Sequence, residues 1–150
     1  MREIRDNLQV LIDHGADIDN KNEDEKTPFH MAAAAGHTDV VKYLLEVDKT
    51  AVNDKDEDDN TALHLAATNK MTNTLEILLE NGSSVHEKND SFWTPLDCAA
   101  AAGAYKCVLK LLEHGSKAGG MMEEKHKNYS EAIHIFRLIR RTGKTRLHCT

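Results

Sequence analysis

The chain has 150 residues, a net charge of −6 and a pI near 5.8, and aromatics make up only 5% of it. This length suits one ordinary domain or one short array, and the acidic balance argues against nucleic acid as the main partner. No apolar run approaches the ~18 residues needed to span a bilayer, and Met1-Arg2-Glu3-Ile4-Arg5-Asp6 is not followed by a secretory apolar region, so a soluble, cytoplasmic segment is expected.

The residues from Asn7 to Gly15 align with those from Thr74 to Gly82 at an offset of 67. They read as the second helix of a repeat whose first helix is missing, which leaves Leu8, Leu11 and Ile12 half covered. Residues 1–26 are therefore expected to be the second helix and following turn of an incomplete repeat, in an excerpt from a longer array or one with a frayed first unit.

Three copies of one pattern follow: Thr27 to Glu46, Thr61 to Glu80 and Thr94 to Glu113, starting 34 and then 33 residues apart. A fixed period of this size marks an array in which each unit covers its apolar face with its neighbour. Thr27, Thr61 and Thr94 are placed as N-caps, with Pro28 and Pro95 at the first helical position, where the missing N–H is not needed. Ala32, Ala33, Ala66, Ala67, Ala99 and Ala100 permit close helix approach. Gly36 and Gly103 end the first helix, while Lys70 stands at the same phase and costs on the order of 1 kcal/mol if it adopts positive φ. Val40, Val41, Leu44 and Leu45, then Leu75, Leu78 and Leu79, then Val108, Leu111 and Leu112 form one face of each second helix.

Gly15, Gly82 and Gly115 fit left-handed stops after the second helices, but Asp48 holds that place in the first full copy. The extra residue of the 34-residue period falls between Asp48 and Thr61, so a different turn is expected there. Asn-, Asp- and Ser-rich stretches at Asp19 to Lys26, Asn53 to Asn60 and His86 to Trp93 read as turns. Beyond Gly115, residues 117–127 are polar. Ser130 can then cap a helix carrying Ala132, Ile133, Ile135, Phe136 and Ile139 on one face, either a degenerate cap on the third repeat or a helix that docks elsewhere. The divisions are thus 1–26, 27–60, 61–93, 94–126 and 127–150.

The tetrads Thr27-Pro28-Phe29-His30, Thr61-Ala62-Leu63-His64 and Thr94-Pro95-Leu96-Asp97 resemble the TPLH motif of the ankyrin repeat, whose period is 33. The resemblance implies an all-α solenoid of stacked helix-turn-helix units with hairpin fingers. It further implies that His30 and His64 hydrogen-bond with their threonines to fix the turn and the next unit, with Asp97 doing related work as an acceptor. Family units usually place glycine two residues before the threonine, where this chain has Glu25, Asp59 and Phe92.

Other readings of these residues are weaker. Stacked helices lie ~8–10 Å apart, too far for His30 and His64 to share one zinc at ~2.0–2.1 Å. The alternation from Asp54 to Asn60 begins like an EF-hand loop but has Asp59 for the glycine and Leu65 for the bidentate acid. Gly143-Lys144-Thr145 lacks the earlier glycine, replaced by Leu138, and the preceding strand of a phosphate-binding loop. Arg137, Arg140, Arg141, Lys144 and Arg146 read as a solvated basic helix end. Cys98, Cys107 and Cys149 form no CxxC pair, and Cys98 and Cys107 fall on packing positions, which suggests core thiols in a reducing compartment. No catalytic constellation, metal site or cofactor motif appears.

The resemblance therefore implies a non-enzymatic protein-interaction module that recognises a partner through finger tips and exposed first-helix faces. The finger positions are Glu23, Asp24 and Lys26, then Glu57, Asp58 and Asn60, then Asp90, Ser91 and Trp93; the helix positions are Ala34 and Ala35, Thr68 and Asn69, Ala101 and Ala102. Two acidic fingers suit a partner segment with basic residues. Trp93 either anchors that partner or packs with Phe92 on its own hairpin. The run from Trp93 to Ala100, with Lys106-Cys107, is also similar to units of ankyrin-type transient receptor potential cation channels, which implies the alternative of a fragment from the cytoplasmic array of a membrane channel.

Overall fold

The computed structural model describes residues 2–115, with side chains from residue 5 onward. The expected connection and cap across residues 117–150, with Ser130, the basic end, Gly143-Lys144-Thr145 and Cys149, lie outside the described residues. Seven α-helices and no strand occur among them: α1 Arg2–Asp13, α2 Pro28–Ala35, α3 Thr38–Val47, α4 Ala62–Thr68, α5 Thr72–Glu80, α6 Pro95–Ala102 and α7 Tyr105–Glu113. First helices α2, α4 and α6 stack in one layer and second helices α1, α3, α5 and α7 in the other.

Each first helix starts in the same way. Thr27, Thr61 and Thr94 have extended backbones with φ of −83°, −86° and −83°. Their N–H groups donate to His30 Nδ1 (3.2 Å), His64 Nδ1 (3.2 Å) and Asp97 Oδ2 (3.0 Å). An Nδ1 that accepts from an amide carries no proton, so each imidazole is neutral with its hydrogen on Nε2. That Nε2 donates onward to a backbone carbonyl of the next finger region, Asp54 O at 2.8 Å from His30 and Trp93 O at 2.9 Å from His64. Asp97 reproduces the cap but, as a carboxylate, has no donor for the onward bond, and its Oδ1 is buried without a hydrogen-bond partner among the described residues.

Alanines at the layer junction bring the backbones together: Ala33, Ala66, Ala67 and Ala99 are fully buried. Leu63, Leu75, Leu78, Leu96, Leu111, Val41 and Val108 fill the space around them. Each buried leucine or valine of this kind contributes roughly 1.5–3 kcal/mol by removal from water. Cys98 and Cys107 are buried free thiols; burial pushes Cys98 up to about 11 and raises Cys107 as well, which keeps both protonated and inert. At the other end Val10 and Leu11 are exposed, because α1 packs on α3 with no first helix among the described residues to cover it. Tyr43 O–H donates to Gln9 Oε1, and Arg5 pairs with Glu46 across the same junction.

The turns follow the residue substitutions. Gly36 and Gly103 leave their helices at φ of 75° and 73°, and Lys70 is forced to 61° at the same phase. Asp48 does not adopt the left-handed stop: its φ is −146°, and a 3-10 turn over Lys49–Asn53 absorbs the extra residue. The Asp48 carboxylate caps that turn by accepting from Thr50 N at 2.9 Å and Thr50 Oγ1 at 2.6 Å, and these hydrogen bonds lower its pKa.

Three stability outcomes are expected. Lys70→Gly relieves a strained backbone and, after allowance for the looser unfolded chain, should gain up to about 1 kcal/mol in urea unfolding. Gly36→Ala should lose roughly 1–3 kcal/mol, because φ is positive and the new Cβ would sit 2.5 Å from Met71 Sδ. The buried His64 is held below its ordinary 6.5 by desolvation. Since the unfolded chain then binds the proton more readily, its contribution is full above about 6.5 and is lost progressively below it, as pH falls through the lowered folded-state value. Thermal melts should show Tm dropping below that pH, and less steeply in His64→Asn; equal slopes would remove His64 as the cause.

Candidate functional site

The three fingers are built on one side-chain position that sequence reasoning did not single out. Asn22, Asp56 and Asn89 each accept two backbone N–H groups on Oδ1, from the residues two and four positions later. The pairs are Asp24 and Lys26 (3.0 and 2.9 Å), Asp58 and Asn60 (3.0 and 2.9 Å), and Ser91 and Trp93 (both 3.0 Å). Backbone bonds from residue 22 to 26, 56 to 60 and 89 to 93 close each loop at 3.0 Å. The detectable signal was an Asn or Asp five residues before each threonine.

This scaffold holds Glu25, Asp59 and Phe92 at φ of 57°, 59° and 62°, where the family usually has glycine. Left-handed backbone costs a non-glycine residue roughly 1–2 kcal/mol, and the doubled acceptor bonds offset that strain. The fingers are also joined sideways. Glu57 N donates to Asp24 O and Asp90 N to Asp58 O, both at 3.0 Å, and Asn89 Nδ2 reaches Asn60 Oδ1 at 2.9 Å. Together they form one continuous ridge.

Charge on the ridge is uneven. Lys26 is half-buried, with Nζ 3.5 Å from the buried Asp56 and 3.8 Å from Asp24, and Lys55 pairs with Glu87 at 3.1 Å. Glu57, Asp58, Asp59 and Asp90 are exposed, and no ion pair to them forms among the described residues. The carboxyl of Asp90 is pushed above the ordinary carboxylate range, first by a hydrogen bond with Asp59, then by partial desolvation and by the charges of Asp59, Asp58 and Asp56. Asp56 itself turns inward to organise its loop, so the EF-hand-like run does not converge on a cation, and no cluster among the described residues could hold a metal.

The remaining positions divide. Glu23, Asp24, Asp90 and Ser91 are exposed on the tips; Asn60 and Trp93 are half-buried at their bases. Trp93 packs against the apolar core, while neighbouring Phe92 is 73% exposed and is the outward aromatic of the third finger. Thr68 and Asn69 are exposed, yet Thr68 Oγ1 donates to His64 O at 2.9 Å and Asn69 Nδ2 to Leu65 O at 3.0 Å, back onto their own helix. Ala35 is exposed, and Ala34, Ala101 and Ala102 are partly covered. Met31, four residues before Ala35 on α2, is 53% exposed and extends this face with an apolar side chain. Its signal in the sequence was the variable place after the tetrad, occupied by Met31, Leu65 and Cys98.

No helix among the described residues is long and apolar enough to cross a membrane. The family described as ankyrin repeats (3 copies) matches residues 2–89 and again 53–120. The chain is 37% identical over 127 residues to a transient receptor potential cation channel subfamily A member 1 homolog of Caenorhabditis elegans, covering 85% of this chain and 10% of that protein. It is also 37% identical over 107 residues to a 26S proteasome non-ATPase regulatory subunit 10 of Dictyostelium discoideum, covering 71% of this chain and 32% of that protein. The chain thus spans about a tenth and about a third of these relatives. Ankyrin repeats generally mediate protein–protein interaction and are generally non-enzymatic. The repeated Thr-capped helix pairs and the match over residues 2–120 agree, and the chain belongs to the ankyrin repeat family.

Proposed function

We propose that this array is a non-enzymatic module that binds a basic segment of a protein partner along the ridge made by the second and third fingers. The observation that carries the reading is the run of exposed carboxylates at Glu57, Asp58, Asp59 and Asp90 without ion-pair partners among the described residues. Opposite charge on a partner relieves their repulsion and speeds encounter. Phe92 and Trp93 supply aromatic surface beside the charges, and Met31, Ala35, Thr68 and Asn69 form the shallow wall behind them. Glu23, Asp24, Lys26, Asn60 and Ser91 complete the edge.

A second reading, favoured by the likeness to the channel homolog over 85% of this chain, is that the array belongs to the cytoplasmic part of a membrane cation channel. Transmembrane sequence in the full-length transcript would support it, and a transcript encoding no membrane span would remove it.

Pull-downs with the chain as bait should capture a partner that a Glu57→Lys, Asp58→Lys, Asp90→Lys variant of equal helicity loses by tenfold or more, as roughly 1.4 kcal/mol of lost charge complementarity requires. Capture should weaken as salt is raised. Trp93 is the only tryptophan, so its fluorescence should change when a peptide from that partner occupies the ridge. A partner held equally by parent and variant would overturn this site and direct attention to the other faces.

A further inference from the structure

Successive units meet through three side-chain positions, and the third full unit departs from the pattern at each. The first is the histidine, since His30 and His64 donate through Nε2 to a backbone carbonyl of the next finger region. The second is Thr72 at the start of α5, whose Oγ1 lies 3.5 Å from Cys107 Sγ on α7. The third is a polar residue on the second helix: Gln9 of α1 accepts from the Tyr43 hydroxyl on α3, and Glu76 of α5 accepts from Lys110 Nζ on α7 at 3.2 Å. In the third full unit these positions hold Asp97, Tyr105 and Leu109.

Each change alters what can pack there. Tyr105 and Leu109 are four residues apart on α7 and share one side of it, so a polar contact becomes an apolar one. Asp97 replaces a donor with an acceptor. The earlier units present a carbonyl at this point, Asp54 O and Trp93 O, and a carboxylate facing a carbonyl leaves both without a hydrogen. A cover for the third unit therefore needs apolar side chains together with an N–H or O–H donor.

Both groups are covered. Leu109 is 7% exposed, whereas Gln9 and Lys42 at its sister positions are exposed and Glu76 is half-buried. Leu109 nevertheless stands outside the core cluster of buried side chains, and the described helices packed most closely on α7 are α5 of the preceding unit and α6 of its own. Asp97 is 1% exposed, and its Oδ1 has no hydrogen-bond partner among the described residues. Beyond Gly115 the chain itself carries the required chemistry. Ala132, Ile133, Ile135, Phe136 and Ile139 recur at helical spacing, with hydroxyl and guanidinium donors beside them at Ser130 and Arg137. The fourteen residues from 116 to 129 can extend about 45 Å, several times the ~10 Å between packed helices, so the reach is ample.

We propose that residues 130–139 of this chain dock as a helix on the outer side of α7, seating their apolar face on Tyr105 and Leu109 and giving a donor to Asp97 Oδ1. This surface is separate from the acidic ridge and does not depend on the reading of the fingers.

Amide hydrogen exchange on the full 150-residue chain tests the docking. Residues 131–139 should exchange about tenfold or more slowly than a synthetic peptide of the same sequence, and Leu109→Glu should abolish that difference. Leu109→Glu gives α7 the residue that α5 carries as Glu76, and unchanged protection across α2 to α5 would show that the array stays folded. Asp97→His, which keeps the cap used by His30 and His64 but points a donor outward, should lower protection of 131–139 as well. Reciprocally, Phe136→Ser should speed exchange in α7 and leave α3 unchanged. Protection that holds on tenfold dilution assigns the cover to the same chain; protection that weakens on dilution assigns a second copy and overturns the proposal. Exchange of 131–139 at the rate of the free peptide, or protection that survives Leu109→Glu, would overturn it equally.

Discussion

The buried neutral histidine is the interaction on which the stack depends. In each of the first two full units one imidazole accepts from the backbone at the start of its own helix and donates across to the next finger region. A single side chain thereby closes a local turn and sets the position of its neighbour. Because both ring nitrogens are engaged away from water, protonation would replace an acceptor with a donor facing an N–H. The local cap and the contact between units therefore fail together, which links the stability of each repeat to the one after it.

The third full unit shows what happens when that residue changes. Asp97 preserves the cap, since a carboxylate accepts from Thr94 N and Oγ1, but it cannot donate onward. The helix starts in the same way, and no such bridge forms from Asp97 among the described residues. The fingers follow a similar logic, with the repeated Oδ1 acceptor at Asn22, Asp56 and Asn89 holding loops whose usual glycines are missing. Side-chain hydrogen bonds there replace conformational freedom. The loops are consequently specified by two residues acting together, and their exposed tips remain available to carry charge.

The two ends of each unit differ in electrostatic character. The finger edge carries exposed carboxylates at Glu57, Asp58, Asp59 and Asp90 that form no ion pair among the described residues, and the helix-turn edge gathers two lysines, hydroxyls and a helix start without a side-chain cap. An acidic net charge alone conceals this division. It arises because the chain reverses direction twice in each repeat, so residues from the polar stretches and residues from the short turns are sorted to opposite edges.

The repeat, the helix pairs, the caps and the apolar faces were legible in the amino-acid sequence, because each depends on spacing within a window shorter than one period: a threonine before a helix, alanines at close approach, leucines at three and four. The replacement of a left-handed stop at Asp48 and the strain at Lys70 were legible for the same reason, as departures from a pattern present in sister copies. The tertiary structure decided which candidate side chains face outward. It turned Asp56 inward while leaving Asp58 and Asp59 exposed, set Trp93 against the core with Phe92 outside, and folded the polar groups of Thr68 and Asn69 back onto α4. It also brought Thr38, Lys70 and Lys106, from three different units, to one pocket. Such outcomes depend on hydrogen bonds and packing between units, and a pattern that repeats identically along the chain carries no information about which neighbour each side chain will meet.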